Sequence, residues 1–201
     1  MKVTILDYGA GNVPSVERAL HRLGAESQRT YSPECISKAD ALLLPGVGHY
    51  AALVRALDEQ NIRAPLVDAI HRGVPFLGIC LGLQVLFKSS EEASHLHGLN
   101  LLPGIVSALP RNVKLPHMGW NQLEKKRDSC LLAGLDAAAY FYFAHSYAAL
   151  DSNGSTAATS SHGAEFAAVI EHQNIYAVQF HPEKSGDSGA RVLRNFLRLA
   201  A

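Results

Sequence analysis

Short apolar runs recur along the chain, most followed by a glycine-bearing turn and then by apolar residues at helical spacing. Residues 2–7 predict a first strand, residues 7–12 a turn, and residues 16–23 a helix. Residues 41–44 predict a second strand, apolar throughout and so buried on both faces, which delivers Pro45-Gly46-Val47-Gly48 ahead of a helix running on from His49. Residues 65–72 predict the next helix, with Gly73 as its stop. Residues 74–79 predict a third buried strand, and residues 83–88 a helix that ends at Ser89-Ser90-Glu91-Glu92. Strand and helix alternating in this way predict an α/β fold, an open and mainly parallel central sheet with helices on both faces.

The second half is less regular. Residues 104–109 and 140–143 predict strands, residues 114–121 a turn-rich segment carrying the sole tryptophan, and residues 151–163 carry no functional signal. A buried strand over residues 175–180 and a covering helix over residues 188–199 close the chain. With 201 residues, 48% of them hydrophobic, one domain over residues 1–201 is expected. Eighteen basic residues balance eighteen acidic ones, so no net field favours nucleic acid or an anionic membrane. The apolar runs are too short to span a bilayer and the N-terminus lacks a signal-peptide layout, which points to the cytoplasm. Three widely spaced cysteines write neither a disulfide framework nor a zinc site, so no metal or cofactor is expected.

Candidate chemistry centres on Gly78-Ile79-Cys80-Leu81-Gly82-Leu83-Gln84, where a strand runs into a helix through a very short turn. Such an elbow strains the central residue and pushes its side chain out of the sheet, at a place where free backbone N–H groups favour a thiolate. Taken alone, the stretch leaves Cys80 open between a nucleophile and a small buried hydrophobe. Gln84 lies one turn beyond it on the same face and can recognise an amide. The Pro45–Gly48 loop could stabilise an oxyanion, hold a phosphate or be a plain tight turn; with no Gly-Lys-Ser/Thr nearby it is not a nucleotide P-loop. Gly9 and Gly11 invite a dinucleotide reading, but Pro14 stands where the third glycine belongs. His181-Pro182-Glu183 follows the last buried strand, and extended alternation puts the carboxylate on the same side as the imidazole it can orient. Aromatic residues around Trp120 and over residues 140–147 look rich for loops and fit a protein interface.

Nucleophile, histidine, carboxylate and glycine-rich loop together resemble the class I glutamine amidotransferases, whose flavodoxin-like fold the resemblance also implies. The likeness rests on the Gly78–Gln84 and His181-Pro182-Glu183 motifs and extends to Asp7–Asn12, Leu44–Gly48, Pro116-His117-Met118-Gly119-Trp120-Asn121 and His145-Ser146-Tyr147. It implies that Cys80 attacks the side-chain amide of glutamine, that His181 passes a proton to departing ammonia, and that Glu183 holds His181. The N–H groups of Leu81 and of Val47 or Gly48 are implied as the oxyanion hole, and Gly46, Gln84, Glu92, Ser146 and Tyr147 as substrate-binding residues. It further implies that ammonia passes to a separate cyclase subunit of (β/α)8 fold, forming a heterodimer. Gly11, Asn12, Met118, Gly119, Trp120, Tyr142 and His145 are the residues expected to face that partner. Two other readings use the same residues: an amidotransferase of a paralogous pathway, and a cysteine hydrolase acting on γ-glutamyl peptides. A non-catalytic regulatory subunit is a third, set against by the intact Cys80, His181 and Glu183.

Overall fold

The computed structural model describes residues 2–150 and 154–201. Residues 151–153, part of the stretch read as without functional signal, lie outside the described residues. In chain order the elements are β1 (Lys2–Leu6), α1 (Val13–Arg22), β2 (Glu26–Thr30), α2 (Pro33–Ser37), β3 (Ala41–Gly46), α3 (Tyr50–Glu59), α4 (Arg63–His71), β4 (Phe76–Cys80) and α5 (Leu81–Gln84). There follow β5 (Val106–Ala108), β6 (His117–Gln122), β7 (Glu124–Lys125), β8 (Tyr140–His145), β9 (Tyr147–Ala149), β10 (Thr156–Ser161), β11 (Glu165–His172), β12 (Ile175–Val178) and α6 (Gly186–Leu199).

Eight strands form one sheet in the order β2-β1-β3-β4-β12-β11-β10-β7. The first five run parallel, and β11, β10 and β7 extend the sheet antiparallel. The α/β architecture expected from the apolar runs is therefore the one observed. Alternation along the central strands sends Leu42 and Leu44 of β3 to one face and Ala41 and Leu43 to the other, each into its own core. Leu53 and Leu57 of α3 with Leu66 and Ile70 of α4 fill the first core; Val16 and Leu20 of α1 with Val192 and Phe196 of α6 fill the second. No helix among the described residues is long and apolar enough to cross a membrane.

Three departures from the sequence expectation have a clear physical reason. Helix α1 begins at Val13, because Pro14 in the first turn gives up an N–H that has no intrahelical partner there. The helix after Cys80 stops at Gln84 instead of reaching residue 88. Its next carbonyls are taken from outside: Leu99 N–H donates to Val85, Leu101 and Leu102 to Leu86, and Gly98 to Lys88. The segment read as turn-rich holds strand β6, which pairs antiparallel with β8 as a separate ribbon, His117 opposite His145 and Trp120 opposite Tyr142. The aromatic residues around 140–147 accordingly sit on strands, not loops.

Candidate active site

Strands β3, β4 and β12 are neighbours, and the loops leaving their C-terminal ends carry Gly46–Gly48, Cys80 and His181 to one place. In doubly wound sheets such ends are where sites are built. Cys80 has φ +55° and ψ −106°, a backbone that L residues rarely adopt. Small neighbours make the turn possible. A Cβ on Gly78 would collide with the backbone of Gly82, one on Gly82 with the Leu44 carbonyl, and one on Gly46 would lie 2.5 Å from Leu81 Cβ. Helix α5 is thereby clamped onto β3, with its first N–H groups beside the Gly46–Gly48 loop.

His181 Nδ1 lies 3.0 Å from Glu183 Oε1, with both side chains almost wholly buried. Asn12 Nδ2 donates to the same oxygen at 3.2 Å. The His181 N–H donates to the Tyr142 carbonyl, tying this segment to the β6–β8 ribbon. Burial opposes a charged His181, but hydrogen bonding and charge from Cys80 and Glu183 outweigh it and push the imidazole up to about 10. An imidazole held that high keeps its proton at neutral pH, beside the Cys80 sulfur.

A cavity of about 540 Å³ opens over this pair, lined by Gly11, Asn12, Val47, Gly48, Cys80, Leu81, Gln84, Glu92, His145, Ser146, Tyr147 and His181. Among the residues implied for catalysis and substrate, Gly46 and Glu183 are absent from the wall: Gly46 packs under Leu81, and Glu183 stands behind His181. Glu92 reaches the wall while one of its oxygens accepts the Tyr50 N–H at 2.7 Å, at the start of α3. Gln84 donates to the Tyr147 carbonyl at 2.8 Å. Of the residues expected to face a partner, Met118 and Trp120 are exposed and Gly119 lies between them, whereas Tyr142 is half-buried. His145 is buried.

The reason lies in a chain of neutral rings. A carbonyl only accepts, so His145 Nδ1, 2.9 Å from Tyr147 O, carries a proton, and its Nε2 accepts from His117 Nδ1 at 3.1 Å. His117 Nε2 in turn accepts from Asn121 Nδ2 at 3.3 Å. Burial pulls His145 down to about 3 and His117 down to about 4, so both stay uncharged. The sequence assigned no site role to Lys184, Pro116 and Ala144 on the cavity wall, nor to Gln179 beneath it. Lys184 was legible as the cation following the His-Pro-Glu motif, and its Nζ stands 5.6 Å from the centre of the Tyr142 ring.

Nucleophile elbow, histidine and carboxylate on a doubly wound sheet define a cysteine-dependent amide-cleaving class. The pattern of the glutamine amidotransferase class-I family matches residues 4–200, and the chain belongs to that family. It is 48% identical over 197 residues to the imidazole glycerol phosphate synthase subunit HisH of Methanothermobacter thermautotrophicus, covering 98% of each chain. The HisH subunit of Moorella thermoacetica is 45% identical over 195 residues, with 96% of this chain and 93% of that one covered. Among solved structures, a glutamine amidotransferase crystal structure superposes with a TM-score of 0.79 at 21% identity over 98% of both chains, which bears on the fold alone.

Proposed function

We propose that the chain is the glutaminase subunit of an imidazole glycerol phosphate synthase, serving histidine biosynthesis in the cytoplasm, with residues 1–201 acting as one domain. The observation that carries the chemistry is that Cys80 and His181 share the cavity, with buried Glu183 behind the imidazole. The Cys80 thiolate attacks the side-chain amide carbon of glutamine, and the oxyanion is met by the N–H groups of Leu81 and of Val47 or Gly48. Each such donor contributes about 3 kcal/mol in the transition state. His181 gives its proton to the departing nitrogen, ammonia leaves, and a γ-glutamyl thioester remains on sulfur. Water then attacks the thioester, His181 takes up a proton, and glutamate departs as the thiolate re-forms. Gly46 shapes the loop, while Gln84, Glu92, Ser146 and Tyr147 hold the substrate, Glu92 through its ammonium.

Ammonia in neutral water is mostly protonated and unreactive, so the product needs a sheltered route to its acceptor. The acceptor is a cyclase subunit of (β/α)8 fold in a heterodimer. Gly11, Asn12, Met118, Gly119, Trp120 and Tyr142 face it, with His145 supporting the ribbon from behind. Supporting this is the exposure of Met118, 65%, and Trp120, 55%, since large apolar side chains on one outward ribbon are what interfaces bury.

An electrophilic glutamine analogue tests the reading. Peptide mass spectrometry should find one adduct, on Cys80, prevented by excess glutamine, and the chain should co-elute with the cyclase. Absence of the adduct with the cyclase present would sink the assignment, and turnover of γ-glutamyl peptides in place of glutamine would replace it with a peptidase.

A pH profile follows from the His181 pair. The carboxylate of Glu183 is one of the two influences raising His181 to about 10, so the proton needed by the leaving group is present at neutral pH and lost as pH rises through that value. Glu183→Gln should move the alkaline limb of kcat to lower pH and reduce kcat at pH 7 by on the order of tenfold or more. A limb that stays in place would show that Glu183 does not tune the imidazole.

A further inference from the structure

Gln179 is fully buried and touches the nucleophile from below the cavity. Its place follows from register: Val178 of β12 pairs with Ile79 of β4, so the next residues, Gln179 and Cys80, leave the sheet side by side. Its orientation is set by a sequence of polar contacts with one consistent solution. Tyr147 O can only accept, so the Gln84 atom 2.8 Å away is the amide nitrogen. That nitrogen also lies 3.1 Å from Gln179, whose facing atom must then be the oxygen Oε1. The Gln179 amide nitrogen is left pointing at Cys80 Sγ, 3.6 Å away, a normal separation for a donor to the large sulfur atom.

We propose that Gln179 is a positioning residue for the glutaminase reaction: its side-chain N–H holds the Cys80 sulfur in its attacking position and stabilises the thiolate. The proposal rests on the reading of Cys80 as nucleophile and adds a second contact to it. His181 approaches the sulfur as proton partner, whereas Gln179 offers a neutral N–H that stays in place when His181 gives its proton away. Hydrogen bonds to a charged acceptor are the strong ones, and a buried thiolate with a single partner is costly. Because Gln84 donates to Gln179, the residue assigned to hold substrate and the reacting atom are joined through one amide. Gln179 reaches the reaction only through Cys80, which is why it is absent from the cavity wall.

Gln179→Met keeps length and volume but cannot donate. The test compares the pH midpoint of Cys80 alkylation by iodoacetamide, read on the Cys80 peptide because Cys35 and Cys130 are exposed thiols, in the full-length wild type and variant. The midpoint should rise by about one pH unit, with kcat for glutamine in the assembled pair falling about tenfold at pH 7. A merely structural role would lower the melting temperature and leave the midpoint unmoved, which overturns the proposal. Should the variant not fold, the wild type decides: the Gln179 side-chain amide resonance should move with the same midpoint as alkylation, and a stationary resonance overturns the idea. Failure of the wild type to take the glutamine-analogue label would refute the function instead, leaving the sulfur–amide contact standing.

Discussion

Cys80→Ala and Cys80→Gly should both abolish glutamine hydrolysis, by on the order of a millionfold, the scale seen when the nucleophile of a histidine-paired site is removed. Their stabilities should nevertheless differ in an unusual direction. Glycine in place of alanine ordinarily costs about 0.5–1 kcal/mol within a regular element. At φ +55° and ψ −106°, however, any residue with a Cβ is strained by roughly 1–3 kcal/mol, and glycine is not. The glycine variant is expected to unfold at higher denaturant than the alanine variant, by about 1 kcal/mol. Equal midpoints, or alanine ahead, would show that the elbow stores no strain and that turning Cys80 toward the cavity needs no special backbone.

Gly82→Ala should be among the most damaging conservative changes in the chain. The added methyl would overlap the Leu44 carbonyl, so α5 must lift off β3 and carry Leu81 N–H and Gln84 with it. Overpacking of backbone against backbone should remove about 3 kcal/mol or more of stability and most of the activity together. Gly48→Ala provides the contrast. With φ +95° and nothing within 4 Å of an added Cβ, it meets only backbone strain of roughly 1–3 kcal/mol, and should lower kcat through the loop far more than it lowers thermal stability through packing. Denaturant midpoints beside steady-state kinetics separate the two. If Gly82→Ala were as stable as the parent, the close approach of α5 to β3 would not govern the site.

Much of this was legible because parallel strands buried on both faces must be apolar throughout: residues 41–44, 74–79 and 175–180 name β3, β4 and β12, the three neighbours that carry the site. Motif chemistry then supplied Cys80, His181 and Glu183, which the fold brings together, and Gln84, while the family resemblance added Ser146 and Tyr147; these three line the same cavity. What escaped the sequence was decided by distant partners. The helix after Gln84 ends because residues 98–102 claim its carbonyls, an event that local propensity cannot report. Strand β6 was hidden by Gly119 and Asn121, residues disfavoured in strands, and only its pairing with β8 extends it. Gln179 was read as one more member of a buried strand, and its contact with Cys80 exists only through the register of β12 on β4.

One oxygen atom, that of the Tyr147 peptide, receives both His145 from the ribbon and Gln84 from the elbow. Two hydrogen-bonded lines therefore meet end to end, from Asn121 through the histidines to that carbonyl, and from it through the glutamines to the sulfur. A displacement at Asn121, the neighbour of exposed Trp120, therefore has an unbroken polar line leading to the Cys80 sulfur through side chains and a single peptide carbonyl.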